Sequence, residues 1–143
     1  MTRINIIDPA LLSDQHLMAE YHEIFMVPAS LRRSLRTRSI SAIMDSVPMQ
    51  YTLNKGHVLF FYDKRAYLAE RYETLKEHLT GRGFNLDPAR ADFPLHGIPD
   101  GFLKGWTPTE EERHAAECII FKRLEEKLSM RPEWYRWTQR REA

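Results

Sequence analysis

Thr2 is the first residue of this chain with a route to chemistry. A small residue at position 2 permits removal of the initiator Met, and removal leaves a free α-amino group on Thr2. Such an amine has an ordinary pKa of about 7.7–8.0, against about 10.4 for a lysine side chain. A sizeable minority is therefore unprotonated at neutral pH. The unprotonated amine is a nucleophile that attacks sugar or carbonyl carbons and forms Schiff bases. The second chemical group is Glu23, carried on a helical stretch that begins near Ser13 or Asp14. A carboxylate beside a sugar carbon stabilises cationic character there and can move a proton. Taken alone, Thr2 reads as a frayed terminus and Glu23 as an exposed helix glutamate. Glu20, one turn before Glu23, is assigned a structural or supporting role.

Charge is the next clue. A formal net charge of +1 conceals two basic stretches. Arg32, Arg33, Arg36 and Arg38 lie together without an acid among them. The last fourteen residues hold Arg131, Arg136, Arg140 and Arg141 against Glu133 and Glu142. Clustered arginines have the electrostatic form of a phosphate-backbone footprint; the plainer alternative is a solvated arginine face. With 143 residues, 43% of them hydrophobic and 29% charged, the expected product is one soluble globular domain over residues 1–143. No apolar run approaches the roughly 18 residues that span a bilayer. Asp8, Asp14, Glu20 and Glu23 interrupt any signal-peptide core, so a cytoplasmic location is expected. The lone Cys118 allows no internal disulfide and no cysteine metal cluster.

Three main helices must position these groups. The first starts at Ser13 or Asp14, both good N-caps, and carries Leu17, Met18, Tyr21, Ile24 and Phe25 at helical spacing. Pro28 must kink or divide it, with a continuation over residues 29–38 that buries Leu31 and Leu35. The second covers residues 64–79 with Leu68, Tyr72, Leu75 and Leu79 as its stripe, and Gly81 and Gly83 as stop signals. For the third, Thr107 is read as the N-cap, Pro108 as the first helical residue and Glu110 as the capping-box acid. Its face is Cys118, Phe121, Leu124 and Leu128, and it ends at Arg131-Pro132. Residues 58–62 read as buried extended chain, and residues 84–106, rich in Pro and Gly, as an ordered loop. His57 is expected in the core. Trp134 is expected to pack back as core, while Tyr135 and Trp137 can either pack or line a stacking surface.

A family resemblance then emerges from pieces that occur in order. They are Thr2-Arg3-Ile4-Asn5, Asp14-Gln15-His16-Leu17-Met18-Ala19-Glu20-Tyr21, Glu23, Gly56-His57-Val58 with Phe60-Phe61-Tyr62-Asp63-Lys64, Arg82-Gly83-Phe84-Asn85, Arg123-Leu124-Glu125-Glu126-Lys127 and Arg131-Pro132-Glu133-Trp134-Tyr135. Together they resemble the pyrimidine dimer DNA glycosylase family. The resemblance implies an all-α domain of three main helices with long ordered loops and the N-terminal segment packed between helices. It implies an enzyme that excises ultraviolet-induced cis-syn cyclobutane pyrimidine dimers and then cuts the strand by β-elimination. The family extrudes the adenine opposite the lesion. Its implied partner is double-stranded DNA containing pyrimidine dimers or abasic sites, met by a monomer away from any membrane, with no metal or organic cofactor.

By the same resemblance Thr2 is the amine nucleophile and Glu23 the catalytic carboxylate. Arg3 stands beside the nucleophile, where a guanidinium favours the neutral amine and can hold a phosphate. Gln15 and His16 lie at the DNA surface, at a helix start whose N–H groups also favour phosphate. Arg123 and Lys127 approach the backbone. Two positions depart: His22 and Met26 stand where the family's prototype has arginines near the lesion. His22 can still donate a hydrogen bond, and Arg32, Arg33 and Arg36 offer compensating charge nearby. The departures bear on the lesion more than on the imine chemistry. The alternatives are the same chemistry on another lesion or on abasic sites only, and a catalytically silent DNA-binding protein of the same fold. Without the resemblance, a helical module binding RNA or protein is the reading.

Overall fold

A computed structural model describes residues 4–53, 55–94 and 98–137. Thr2 and Arg3 lie outside them. Six α-helices occur among the described residues: α1 (Asp14–Glu23), α2 (Met26–Leu35), α3 (Ile40–Ser46), α4 (His57–Phe60), α5 (Arg65–Gly81) and α6 (Glu110–Met130). Short 3-10 turns occupy Pro9–Leu11, Pro88–Arg90 and Asp100–Phe102. The all-α expectation holds: the sole β feature among the described residues is an isolated antiparallel bridge between Lys64 and Leu103. No described helix is long and apolar enough to cross a membrane.

Pro28 divides the first helix as its chemistry requires. A proline lacks the N–H that would reach residue i−4 and its ring crowds that carbonyl. The residue four back is Ile24, and the helix parts there. The Ile24 carbonyl accepts instead from Val27 N–H at 3.4 Å, and α2 resumes with Ala29 N–H donating to Phe25 at 3.3 Å. Because α2 ends at Leu35, Arg36 and Arg38 lie beyond it, and a separate α3 follows, capped by Ser39 Oγ accepting from Ala42 N–H. Ser39 before Ile40, Ile43 and Met44 is the local signal for that helix.

Three other expectations change. Residues 58–62 are not extended: Gly56, at φ +89°, turns the chain into the single helical turn of α4. A five-residue apolar run is too short for its periodicity to separate a strand from a buried turn of helix. The N-cap of α6 is Thr109, not Thr107, and the capping-box acid is Glu112 rather than Glu110. Thr109 Oγ1 accepts from Glu112 N–H at 3.1 Å, and Glu112 Oε1 accepts from Thr109 N–H at 3.0 Å. The fully buried positions of α6 are Ala116, Ile120 and Leu124; Phe121 and Leu128 of the expected face are partly buried against the core, and Cys118 is exposed.

α5 is the axis of the core. Its predicted stripe of Leu68, Tyr72, Leu75 and Leu79 is fully buried and packs on α1, where Tyr21 stacks on Tyr72 with ring centroids 5.4 Å apart. Burial of each such side chain contributes about 1.5–3 kcal/mol. Gly83 closes α5 at φ +93°, with Phe84 N–H reaching back to the Leu79 carbonyl at 3.1 Å, the left-handed terminus that glycine permits. The end of the long connection before α6 is strapped to the start of α5 by Ala66 N–H on the Lys104 carbonyl and Lys104 N–H on the Asp63 carbonyl. Arg65, wholly buried, donates to the Pro94 carbonyl of the same loop.

Candidate nucleic-acid interface

Among the described residues the N-terminal segment has no neighbouring strand, yet it is buried from Ile4 to Ile7. Its backbone polar groups must therefore find side chains. Ile4 N–H donates to His57 Nε2 at 2.8 Å and the Ile4 carbonyl accepts from Tyr51 OH at 3.0 Å. The Asn5 carbonyl accepts from Tyr67 OH at 2.9 Å and the Ile7 carbonyl from Arg71 Nη1 at 2.6 Å. Burial, with the Glu20 carboxylate adding to it and Arg71 opposing it, pushes the Tyr67 phenol up to about 12. Burial, again with Glu20, drives Tyr51 further upward. Both phenols thus remain donors.

Glu20 is the anchor of this cage. Its carboxylate is fully buried and accepts from Arg71 Nε at 2.7 Å, Arg71 Nη2 at 3.0 Å and Asn5 Nδ2 at 2.8 Å. Burial alone would lower Arg71; the facing Glu20 carboxylate outweighs it and raises the guanidinium. The supporting role expected for Glu20 is therefore what the structure gives it. Asn5 Nδ2 also lies 3.0 Å from His16 Nε2.

His16 opens onto the principal groove, a space of about 560 Å³ between α1, α6 and the chain that follows α6. One helix face of α1 supplies His16, Ala19 and Glu23, with Gln15 beside them; α6 supplies Arg123, Glu126, Lys127 and Met130; Arg131, Trp134 and Tyr135 complete the wall. The spacing explains the convergence, since residues three or four apart on a helix share a face. Five residues singled out from the sequence, Gln15, His16, Glu23, Arg123 and Lys127, thus line one groove. Nη1 of Arg123 is buried there without a hydrogen-bond partner among the described residues.

The tail differs from expectation at Trp134, which is 62% exposed at the groove rather than in the core. Tyr135 and Trp137 are the residues that pack. Ser13 Oγ donates to Tyr135 OH at 2.6 Å, and Trp137 Nε1 donates to the Leu11 carbonyl at 2.8 Å. Gln15 grips the backbone between them: Nε2 donates to the Trp134 carbonyl at 2.9 Å and Oε1 accepts from Arg136 N–H at 3.0 Å. The start of α1 is satisfied internally, with His16 N–H on Ser13 Oγ and Asp14 N–H on the Arg136 carbonyl. Gln15 and His16 reach the groove as side chains, and the amides of Asp14 and His16 are already taken within the protein.

His22, Arg32, Arg33 and Arg36 do not line the groove. His22, Arg33 and Arg36 are exposed on α1, on α2 and just beyond α2, while Arg32 is half-buried. Met26 is 48% exposed. Arg90 comes from the 3-10 turn to the end of α1, donating to the Tyr21 and His22 carbonyls and lying 4.0 Å from the Phe25 ring centroid. Trp134, Met130 and Glu126 are the groove residues that sequence reasoning missed. Glu126 and Met130 each lie three residues beyond Arg123 and Lys127 on the same helix, which was the available signal; Trp134 lies past the end of α6, where no helical spacing announces it.

The family model for pyrimidine dimer DNA glycosylases matches residues 1–92. The matched span holds Thr2, Arg3, the α1 wall of the groove with Glu23, and the α5 arginine that supports the N-terminal cage. A match over well more than half of the chain, on an all-α fold that gathers Glu23 with basic side chains beside the N-terminal segment, settles the lineage: the chain belongs to the pyrimidine dimer DNA glycosylase family and is a DNA repair glycosylase.

Proposed function

We propose that this protein excises cis-syn pyrimidine dimers and cleaves the resulting abasic strand, using the α-amine of Thr2 after Met1 removal. The observation that carries this reading is the groove, where Glu23 lies among Arg123, Lys127 and His16 and where His16 touches Asn5, three residues from Thr2. Three residues of extended chain reach about 10 Å, so the nucleophile and Glu23 can act on one sugar.

The neutral amine attacks C1′ of the 5′ pyrimidine nucleotide. The N-glycosidic bond breaks with its electron pair leaving on the base, which takes up a proton. Ring opening gives the C1′ imine and frees O4′ as a hydroxyl. The imine acidifies the C2′ proton; its removal expels the 3′ phosphate by β-elimination, and water releases the amine. Glu23 stabilises positive charge on the sugar as the base leaves and carries protons in the second stage. Arg123 and Lys127 bring positive charge to the groove for the phosphate backbone, and exposed Trp134 offers a ring for stacking. Arg3, His22, Arg32, Arg33 and Arg36 extend the basic contact outside the groove. The lesion itself is met by kinking the duplex and extruding a nucleotide, at a cost of a few kcal/mol. The protein acts as a monomer and as one domain.

A second reading, the same imine chemistry on abasic sites or another lesion, is favoured by one observation: the exposed surface at the α1–α2 junction carries His22 and Met26 rather than fixed charge. Borohydride trapping separates the two. Protein shown by mass to lack Met1 is expected to form a covalent complex with both dimer-containing and abasic duplexes. Trapping on abasic DNA alone selects the second reading, and binding to either duplex without trapping rejects both. Glu23→Gln is expected to keep duplex affinity within about twofold and lower dimer excision by ~100-fold or more.

A further inference from the structure

The cage around the N-terminal segment contains one member of a different kind. Tyr51, Tyr67 and Arg71 all donate to carbonyls of the segment; His57 accepts from its backbone, taking the Ile4 N–H at 2.8 Å. The ring has its tautomer set from the opposite side. Nδ1 lies 2.6 Å from the Thr52 carbonyl, which can only accept, so Nδ1 carries the hydrogen and Nε2 presents a bare lone pair. The imidazole is buried and held edge-to-face by Tyr51 and Phe61, with centroids 5.7 and 5.5 Å away. Gly56, in the left-handed region at φ +89°, makes His57 the first residue of α4 and aims it at the segment. The Ile4 amide is two residues from the amine of Thr2, and His57 lines no part of the groove.

We infer that His57 is the positioning residue for the N-terminal nucleophile: as an Nδ1–H imidazole fixed by Thr52, it holds the Ile4 amide and so sets the direction in which the chain leaves the core toward the reacting sugar. This role rests on the reading of Thr2 as the nucleophile. His57 touches neither DNA nor the reacting atoms. Its loss widens the range of positions open to the amine, which slows imine formation while leaving affinity for the duplex in place, because placement enters the rate directly.

Two measurements test the role. On the unmodified chain labelled with nitrogen-15, a scalar coupling across the hydrogen bond between the Ile4 amide nitrogen and His57 Nε2 is expected. Its absence, or an Nε2–H tautomer, overturns the role, and this readout needs neither activity nor a variant that folds. Single-turnover borohydride trapping on abasic duplex then compares Met1-free proteins. His57→Leu is expected to slow trapping at least tenfold with duplex Kd unchanged within twofold. His57→Gln, whose Oε1 can stand where Nε2 does, is expected to recover most of the rate. Trapping by the natural protein that His57→Leu leaves unaltered overturns the role of His57 alone. Equal slowing in both variants reduces it to core packing. No trapping by the natural protein overturns the reading of Thr2 and this role with it.

Discussion

Trp134 and Tyr135 are neighbours in the chain with opposite duties. Trp134 is 62% exposed against the groove, whereas Tyr135 is buried and takes a hydrogen bond from Ser13. Trp134→Ala is therefore expected to leave the urea midpoint unchanged while weakening duplex binding by about 1–3 kcal/mol, the worth of one base–aromatic stack. Equilibrium unfolding and a fluorescence binding titration on the same preparation check the split; a lowered midpoint with intact binding would return Trp134 to a packing role. The sequence marked this aromatic cluster but chose the wrong ring for the core. The choice depends on Gln15, which holds the Trp134 carbonyl and the Arg136 amide across 119 and 121 residues, contacts that no local pattern announces.

At the level of elements, the start of α6 offers a clean test. Thr109 makes the reciprocal capping box with Glu112, and Thr107 does not cap the helix. Thr109→Ala is expected to cost about 1 kcal/mol of unfolding free energy, and Thr107→Ala close to none, as read by urea denaturation. Both threonines were visible in the sequence with a proline between them, and each has a glutamate three residues on, Glu110 and Glu112; the local pattern fits both, and the folded chain uses the second. The junction of α1 with α5 carries more energy. Glu20→Gln would leave the Arg71 guanidinium buried without its counter-charge, and the expected loss is about 3–5 kcal/mol. Unfolding of the variant at the natural midpoint, with the N-terminal cage loosened, is the outcome to look for; a loss under about 1 kcal/mol would show that water relieves the charge.

For the molecule as a whole, two solution properties follow from the arrangement. The Tyr67 phenol keeps its proton in the folded chain up to about 12, while in the unfolded chain it ionises near its ordinary value of about 10. The folded state thus binds more protons across that window, so stability is fully present below about pH 10 and is lost as pH rises through about 12. Tyr51, raised by the same burial, acts in the same direction. Denaturation midpoints measured from pH 9 to 12 are expected to fall, and Tyr67→Phe is expected to flatten the decline. The second property is salt dependence. Basic side chains in the groove and on α2 predict duplex binding that weakens steeply with salt, and Lys127→Ala is expected to reduce the log–log slope by about 1. An unchanged slope would place Lys127 away from phosphate.

The helical class, the division at Pro28, the stripe of α5 and the family were legible in the sequence alone. All of these rest on local rules or on ordered motifs: a missing N–H, a 3.6-residue period, pieces that recur in order. Only the tertiary structure decided that Gln15, His16, Glu23, Arg123 and Lys127 share one groove. Only it showed that Arg71 neutralises buried Glu20 and that His57 receives the Ile4 amide. The last two pairings join residues 51 and 53 positions apart. Buried backbone and charge must be satisfied by whatever side chain the packing brings near, and packing is a property of the whole chain.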